Sequence, residues 1–298
     1  MINSKDAILH LQTHIYDYNG LLPNEKEKKC KIIYTLHGVI PYYYMPFEKK
    51  KELLEGKLNK KEIRPFLEFL NEREIFQATS VSKADSLIVL CEAHKRAVRL
   101  LYNYSRPIFI VENATEFMDE EIRKIINAKK RKQKKFEKEK IKISYYNKKI
   151  SLGMVLEAFS RLRDRYRLGL RIFKGEREKL PEEVEVVGWK KKSNTKELEE
   201  LIDLYLTTDI FLQPVKTPNL FSKIVLDAMA LQIPVVSCPS EYTFSSRTVE
   251  EICNSIEFII KNREKVKIKV ENAYNKVATE NTWKKYVESV MEIASSFY

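Results

Sequence analysis

One segment of the chain, residues 210–236, restricts the fold because it reads as strand, loop, helix and strand. The apolar run Ile210–Gln213 is followed by a polar loop, a helix predicted at Leu220–Leu231, and a second apolar run at Pro234–Ser237. Two buried strands joined through a helix are typical of a parallel sheet, whose crossovers are long and usually helical. Asp227 interrupts the apolar face of this helix, where periodicity alone does not place a charge. The segment therefore predicts an α/β fold and marks a candidate site.

The same alternation of short apolar runs and longer amphipathic runs continues along the chain. Further strands are predicted at Ala7–Leu11, Lys31–Leu36, Ser86–Cys91, Pro107–Val111, Ile141–Tyr145, Leu170–Phe173 and Val184–Val187. Further helices are predicted at Pro65–Thr79, Glu92–Tyr102, Leu152–Arg165 and Lys196–Leu206. This order of elements predicts parallel sheets covered by helices on both faces.

Residues 117–140 divide this alternation into two parts. They include the run AKKRKQKKFEKEK and have almost no apolar residues in their second half, which predicts a basic, solvated helical linker. The expected lobes are residues 1–116 and 141–279. The tail predicts three successive helices, the last at 280–298. That last helix has apolar residues at helical spacing, so this face needs a covering: Trp283, Tyr286, Val290, Ile293 and Phe297.

Composition narrows the class of protein. The 298 residues include 54 Lys and Arg against 42 Asp and Glu, a formal charge of +12, but lysine and glutamate are interspersed, as on a solvated surface. Neither a membrane-spanning run nor a signal peptide is predicted. The cysteines form no CxxC pair, which argues against a zinc site or a disulfide framework and favours a cytoplasmic location. They are Cys30, Cys91, Cys238 and Cys253; Cys91 and Cys238 are expected to be small core residues.

An ordered series of motifs resembles the retaining GT-B-fold glycosyltransferases of family 4. The motifs are KIIYTLHG at 31–38, ADSLIVLC at 84–91, IVENAT at 110–115, LGMVLEAFSRL at 152–162, LRIFKG at 170–175, VEVVG at 184–188, and residues 219–236. They cover most of the chain from Asp6 onward. The resemblance implies a GT-B-like α/β fold with two Rossmann-like lobes facing across a cleft, a nucleotide sugar on the C-terminal lobe, and a final helix that crosses back to the N-terminal lobe.

The chain departs from the family pattern in three places. It begins later than family members do, which implies an N-terminal lobe that is truncated or completed by a partner chain. The usual Gly-Arg pair at the end of the first strand of the donor lobe is replaced by Ser144 and Tyr145. The two glutamates of the family's donor segment, eight positions apart, are replaced by Asn219 and Asp227.

The resemblance implies that the leaving diphosphate is stabilised without a metal or another cofactor, the nucleotide-diphosphate sugar being a substrate. Fixed cations and the amides of a helix N-terminus suit that task. The positions that match the family here are Lys148, Lys149, Leu220, Phe221, Ser222 and Lys223.

The remaining donor contacts also follow from the resemblance. Asp227 matches the carboxylate that binds the ribose hydroxyls, and Gly188 ends the strand near the nucleotide base. Asn219 matches the residue that contacts the transferred sugar. Two simpler interpretations stay open, since Asn219 is also a good N-cap for a helix at Leu220 and Asp227 is also compatible with an ordinary polar position at the edge of a sheet.

Histidines form the other group of candidates. His37 follows a predicted strand and matches a family histidine near the donor. His10 and His14 flank the position of a second family histidine, and Gln12 is an equal candidate there. A lone histidine is more often a structural hydrogen-bonding residue, so this interpretation also stays open.

The acceptor side is less defined. The lysine run at 129–140 predicts either a solvated helix or a contact with an anionic membrane surface, as in relatives that use lipid-linked acceptors. The aromatic run at 42–47 is compatible with an acceptor site, a membrane interface or core packing. The first hypothesis is therefore a peripheral transferase that moves a hexose to a glycan, lipid or protein acceptor.

Two other hypotheses compete with this one. The departures from the family pattern motivate a catalytically inactive binding or partner subunit with the same fold. The net charge alone motivates a nucleic-acid-binding protein, which requires a contiguous basic face and a steep salt dependence. Because lysine and glutamate alternate, no nucleic-acid partner is expected.

Overall fold

The computed structural model describes residues 8–13, 31–37, 39, 45, 47–59, 61–62, 72–132, 140–146, 151–173, 180–188, 195–214 and 221–297. They fall into two compact units. The described residues up to Asn113 and those from Tyr286 onward form the first unit, and Ala114–Lys285 form the second.

The first unit contains a parallel sheet of four strands in the order β1-β2-β3-β4. The strands are β1 (Ile8–Thr13), β2 (Lys31–Leu36), β3 (Ser86–Val89) and β4 (Ile108–Ile110). The helices are α1 (Phe47–Leu54), α2 (Glu72–Lys83) and α3 (Glu92–Leu101). β2 and β3 are apolar runs buried along nearly their whole length, as inner strands of a parallel sheet require.

The second unit contains a parallel sheet of six strands. These are β5 (Ile141–Tyr146), β6 (Leu168–Phe173), β7 (Glu185–Val187), β8 (Ile210–Leu212), β9 (Val235–Ser237) and β10 (Phe244–Ser245). The helices are α4 (Glu120–Lys132), α5 (Leu152–Tyr166), α6 (Thr195–Leu206), α7 (Lys223–Ala230), α8 (Val249–Lys261), α9 (Arg263–Glu280) and α10 (Trp283–Ser295), the last of which continues into the first unit.

The order of these strands is β7-β6-β5-β8-β9-β10. Read in chain order, this is the 3-2-1-4-5-6 arrangement of a doubly wound, Rossmann-type sheet. The order reverses between β5 and β8, which pair directly through Ile143 with Ile210 and Tyr145 with Leu212. This pair of strands is therefore the topological switch point of the unit.

Apolar side chains cover both faces of this sheet because strand residues alternate between them. On one face Phe211 packs with Tyr205 of α6 and with Val225 of α7. On the other face Ile210 and Leu212 of the same strand pack against α5 and α8. The α7 helix thus lies on the face that Phe211 points to.

The predicted order of strands and helices is confirmed from β1 to α10, including the three helices of the tail. Tyr286 and Ile293 are buried on the predicted apolar face of α10. The strand β10 and the helix α1 were not predicted, since Phe244–Ser245 is too short for a periodic signal. Cys91 and Cys238 are buried, as expected, and burial raises the pKa of the Cys91 thiol to about 11; Cys30 lies outside the described residues.

The expected linker at residues 117–140 differs from the structure over its described part. The helix α4 belongs to the second unit, and Ile126 is fully buried in the core of that unit. The Lys129 ammonium also lies 2.7 Å from Asp203 of α6. Ile122 and Ile125 of the same helix are partly buried against this core, so three apolar residues attach a helix whose sequence is otherwise mostly charged.

Candidate functional site

The carboxyl edge of the second sheet brings several predicted residues to one place. Because the six strands run parallel, the residues that follow β5, β7 and β8 lie at the same edge. In open α/β sheets, ligands bind outside the carboxyl ends of the strands at the switch point. The connection that follows β8 leads into α7, so the N-terminus of this helix belongs to the same region.

The first turn of α7 leaves amides open at its N-terminus. Ser222 is the N-cap, and its carbonyl accepts hydrogen bonds from the amides of Val225 at 2.9 Å and Leu226 at 3.1 Å. The amides of Lys223 and Ile224 precede these bonds and have no place in the helical ladder. Such a helix end is favourable for an anion.

The start of this helix corrects one expectation. The helix begins at Lys223, three residues later than the predicted start at Leu220. Ser222, rather than Asn219, is therefore the N-cap, and Phe221 lies before the helix. The reason is local, since the apolar residue at position 220 extends the helical pattern of the sequence beyond the N-cap that the structure shows at Ser222.

Lys223 places a cation at this helix end, but the cation already has an anionic partner. Its Nζ lies 3.0 Å from Glu116 Oε2, and the two side chains are 45% and 14% exposed. The ammonium also lies 5.3 Å from the centroid of the Trp283 ring. Lys223 is therefore held by an ion pair and a cation–π contact.

Asp227 lies one turn further into α7 and is fully buried. Its Oδ1 accepts a hydrogen bond of 2.5 Å from the Thr115 hydroxyl, whose oxygen in turn accepts one from the Phe117 amide. The Tyr205 hydroxyl donates to the carbonyl of Ile224 in the same helix. Burial, and then the charge of Asp227, raise the pKa of Tyr205 well above its ordinary value. The carboxylate thus joins α7 to the segment that opens the second unit.

Sequence reasoning did not identify Thr115 or Glu116 as neighbours of α7. Both belong to the segment that follows β4, which is bonded to the far end of the unit: the Thr115 amide donates to the carbonyl of Asn281 at 2.9 Å. The signal available was the polar pair formed by Thr115, the last residue of the motif IVENAT, and Glu116, which follows it. Their contact with α7 depends on packing between residues about a hundred positions apart.

Two other predicted residues lie at this edge. Gly188 follows the edge strand β7 and is exposed, and a side chain there would meet nothing within 4 Å. Phe221 is half-buried and packs edge-on against Tyr242, with ring centroids 6.1 Å apart. The predicted roles of Lys148, Lys149, Asn219 and Leu220 fall on positions outside the described residues.

The histidines lie in the first unit. His10, in β1, is half-buried, and its Nε2 lies 2.8 Å from the Thr35 hydroxyl of β2. Burial lowers the pKa of His10 below its ordinary value. His37 follows the last residue of β2 at the carboxyl edge of the first sheet and is half-buried. His14 lies outside the described residues, and the side chain of Gln12 is not described either.

A cavity of about 710 Å³ lies at the opposite edge of the second sheet. It is lined by the residues that precede or open the strands, such as Ile141, Asp209 and Pro234, and by Arg263 and Val266 of α9. Ligands of doubly wound sheets bind at the other edge. This cavity is therefore not assigned to the candidate site.

The described residues contain no group of three or more His, Cys, Asp or Glu side chains arranged to hold a metal ion. Within the same residues, every helix is too short or too polar to cross a bilayer.

Comparison with known proteins gives matches in structure only. No protein-family model and no curated protein sequence matches the chain. A glycosyltransferase from Rickettsia africae ESF-5 matches with a TM-score of 0.56 and 15% identity, over 91% of this chain and 72% of that one. Anabaena Alr3699/HepE in complex with UDP and glucose matches with a TM-score of 0.56 and 11% identity, over 90% of this chain and 72% of that one.

A third match is WaaG, a glycosyltransferase involved in lipopolysaccharide biosynthesis, with a TM-score of 0.55 and 13% identity over 86% of this chain and 73% of that one. The likeness covers about nine tenths of the chain, and it confirms the predicted α/β, GT-B-like fold. At these identities it shows the fold alone, and activity has to be argued from the site.

Proposed function

We propose that this protein is a glycosyltransferase that moves a hexose from a nucleotide-diphosphate sugar to a glycan, lipid or protein acceptor, with retention of configuration and without a metal. The observation that carries the proposal is the switch point of the second sheet, where the open N-terminus of α7 follows β8. A diphosphate placed there meets aligned amides and the positive end of a helix.

The structural matches support the same donor chemistry. Anabaena Alr3699/HepE has been solved with UDP and glucose and with UDP-glucose. These ligands belong to that protein, and they make a uridine diphosphate sugar the first donor to test here. WaaG acts in lipopolysaccharide biosynthesis, which makes a glycan or lipid-linked acceptor a reasonable second test.

Each predicted residue has a role in this proposal. The diphosphate is bound by the amides of the first turn of α7 and by lysine side chains, and the ribose by Asp227. The base lies near Gly188, the transferred sugar contacts Asn219, and His37 contacts the donor. The donor contacts proposed from the resemblance are Gly188, Leu220, Phe221, Ser222, Lys223, Asp227, Lys148, Lys149, His10 and His14, with His37 and Asn219 at the reacting centre.

Titration calorimetry tests the donor site directly. The protein is titrated with UDP, GDP and their common hexose conjugates, and Lys223→Ala is compared with Lys284→Ala, which removes an exposed lysine of α10. We expect one nucleotide to bind, Lys223→Ala to weaken binding several-fold, and Lys284→Ala to leave it unchanged. A protein that binds no nucleotide in this panel would contradict the proposal.

A catalytically inactive partner subunit is a second candidate. It is favoured because the charged side chains of α7 are already paired within the protein. Lys223 is paired with Glu116, and Asp227 is fully buried against Thr115. Both side chains thus have structural partners before any donor binds. This candidate predicts nucleotide binding without transfer or hydrolysis of the sugar, measured by release of the nucleoside diphosphate over a broad panel of donors and acceptors.

A peripheral position at an anionic membrane surface is part of the same proposal. The described part of the lysine run begins with Lys129, whose charge is shared with Asp203 and Glu199. The remaining lysines would supply the attraction to acidic lipids. Sedimentation with vesicles of phosphatidylcholine, with and without phosphatidylglycerol, tests this contact.

A further inference from the structure

Gln213 is a buried polar residue at the carboxyl end of β8. Its backbone is satisfied, since the amide donates to the carbonyl of Val236 at 2.9 Å and its own carbonyl accepts from the Ser237 hydroxyl at 2.8 Å. Its side chain is fully buried, yet neither the amide oxygen nor the amide nitrogen has a hydrogen-bond partner among the described residues. Buried polar groups in native proteins are nearly always paired, so this one calls for an explanation.

The direction of this side chain follows from the strand. Phe211 packs on the face of the sheet that α7 covers, and Leu212 packs on the opposite face. Because strand residues alternate, Gln213 shares the face of Phe211. The pairing of Leu212 with Tyr145 also places Gln213 beside β5, at the switch point.

Ser222 is a second unsatisfied group in the same region. As the N-cap of α7, its hydroxyl would ordinarily accept a hydrogen bond from an amide of the first turn. Here it makes no such bond, and its Oγ is buried without a partner among the described residues. A neutral hydroxyl and a neutral amide are thus buried and unpaired among the described residues, on the face and at the edge where the N-terminus of α7 favours an anion.

The two groups match one class of ligand. The amide of glutamine offers donors and an acceptor, and a serine hydroxyl offers both. A phosphoryl oxygen accepts hydrogen bonds only, whereas a sugar hydroxyl can also donate one. A nucleoside diphosphate sugar presents these two chemistries side by side.

We propose that Gln213 and Ser222 bind the donor across the junction of its diphosphate and its sugar through neutral hydrogen bonds. This inference rests on the proposed function. Gln213 donates to a phosphoryl oxygen and accepts from a sugar hydroxyl, and Ser222 donates to a second phosphoryl oxygen.

The test separates this role from a structural one by measuring stability and affinity in the same variants. Titration calorimetry with UDP, GDP and their hexose conjugates first identifies the donor of the wild-type protein. The variants are Gln213→Leu and Ser222→Ala, and Gln213→Met serves if the leucine variant does not fold. The matched control is Ser86→Ala, which removes a fully buried hydroxyl without a partner among the described residues of the first unit.

We expect Gln213→Leu to weaken binding of the donor about tenfold. In the ligand-free protein the same change raises Tm by about 2–4 °C, because an unsatisfied buried amide is replaced by an apolar side chain. Ser222→Ala weakens binding less, and Ser86→Ala leaves it unchanged.

Three results would overturn the inference. If the wild type binds the donor and Gln213→Leu binds it equally well, Gln213 is not part of the site. The proposed function is not affected by that result. A lower Tm of the ligand-free variant shows that the amide has a structural role. A wild-type protein that binds no nucleotide sugar removes the proposed function and this inference together.

Discussion

At the scale of residues, the side chains predicted to touch the donor are also structural parts of the second unit. Asp227 is fully buried and bonded to Thr115, and Lys223 is paired with Glu116. The sequence identified Asp227 and Lys223 from their positions in a helix. Their partners come from a segment that precedes β5, so only packing brings them together.

The Thr115–Asp227 bond predicts a coupled loss of stability. Thr115→Val and Asp227→Ala each lower the free energy of unfolding by about 1.5–3 kcal/mol, since a buried hydrogen bond to a charged group is lost. The double variant loses less than the sum, because the two changes remove one interaction. Urea unfolding of the four proteins gives the coupling energy, and additive losses would show that the bond contributes nothing to stability.

The Lys223–Glu116 ion pair predicts opposite effects on nucleotide affinity. Glu116→Gln strengthens binding of a nucleoside diphosphate several-fold because the ammonium of Lys223 is no longer neutralised, and both this gain and the loss in Lys223→Ala shrink with added salt. Calorimetry at low and high ionic strength measures the difference. Glu120→Gln, which removes an exposed carboxylate of α4, is the matched control, and weaker binding by Glu116→Gln would contradict the prediction.

At the scale of elements, α4 shows how a charged sequence conceals a packed helix. Its lysines and glutamates predict a solvated linker, yet Ile126 is fully buried in the core of the second unit. One apolar turn is enough to attach a helix whose remaining surface is charged. Periodicity over so few apolar positions does not separate the two cases.

This packing predicts the cost of truncating Ile126. Ile126→Ala lowers the free energy of unfolding by about 2–5 kcal/mol, as for other buried isoleucines. Ile268→Ala in α9, where the side chain is 61% exposed, changes stability by less than about 0.5 kcal/mol. Urea unfolding measures both losses of free energy. Equal losses in the two variants would show that α4 is a solvated linker.

The buried His94 of α3 makes the stability of the folded protein depend on pH. Burial, and then the positive charge of Lys50, lower the pKa of His94 from 6.5 to about 4. Below pH 6.5, His94 is protonated in the unfolded chain but stays neutral in the folded protein until the pH reaches about 4. The contribution of His94 to stability is therefore complete above pH 6.5 and is lost as the pH falls towards about 4. The loss from this one group is about 3 kcal/mol.

The measurement is Tm as a function of pH in the wild type and in His94→Leu. We expect the variant to lose less Tm than the wild type between neutral pH and pH about 4.5, whatever its Tm at neutral pH. Parallel curves for the two proteins would show that His94 does not titrate on unfolding.

At the scale of the whole molecule, the two parallel sheets divide the chain into two units, and the order of strands in the second unit creates the candidate site. The likeness to glycosyltransferases of known structure extends over both units, at identities of 11–15%. The net charge of +12 describes the surface as a whole and does not identify a partner.

Donor binding at the switch point predicts a localised change in hydrogen exchange. A nucleoside diphosphate at about 100 times its Kd stabilises the protein by about 2.7 kcal/mol. We expect the slowed amides to lie in residues 140–146, 210–214 and 221–230 of the second unit, measured by mass spectrometry. Protection confined to the first unit would contradict this placement of the donor.

The sequence by itself determined the class of fold, the order of the elements and the position of Asp227 in a helix after a buried strand. These properties follow from local periodicity, which a single chain displays without reference to its partners. It also indicated a polar residue, Gln213, at the end of an apolar run. The predicted start of α7 is three residues too early, because helix ends depend on caps more than on periodicity.

Only the tertiary structure decided the order of the strands, the burial of Asp227 and the unpaired side chain of Gln213. The pairing of β5 with β8, and the bond between Thr115 and Asp227, join residues far apart in the chain. Such contacts depend on which surfaces pack together, and the same local pattern is compatible with several packings. The chemistry of the candidate site therefore rests on long-range contacts that periodicity does not encode.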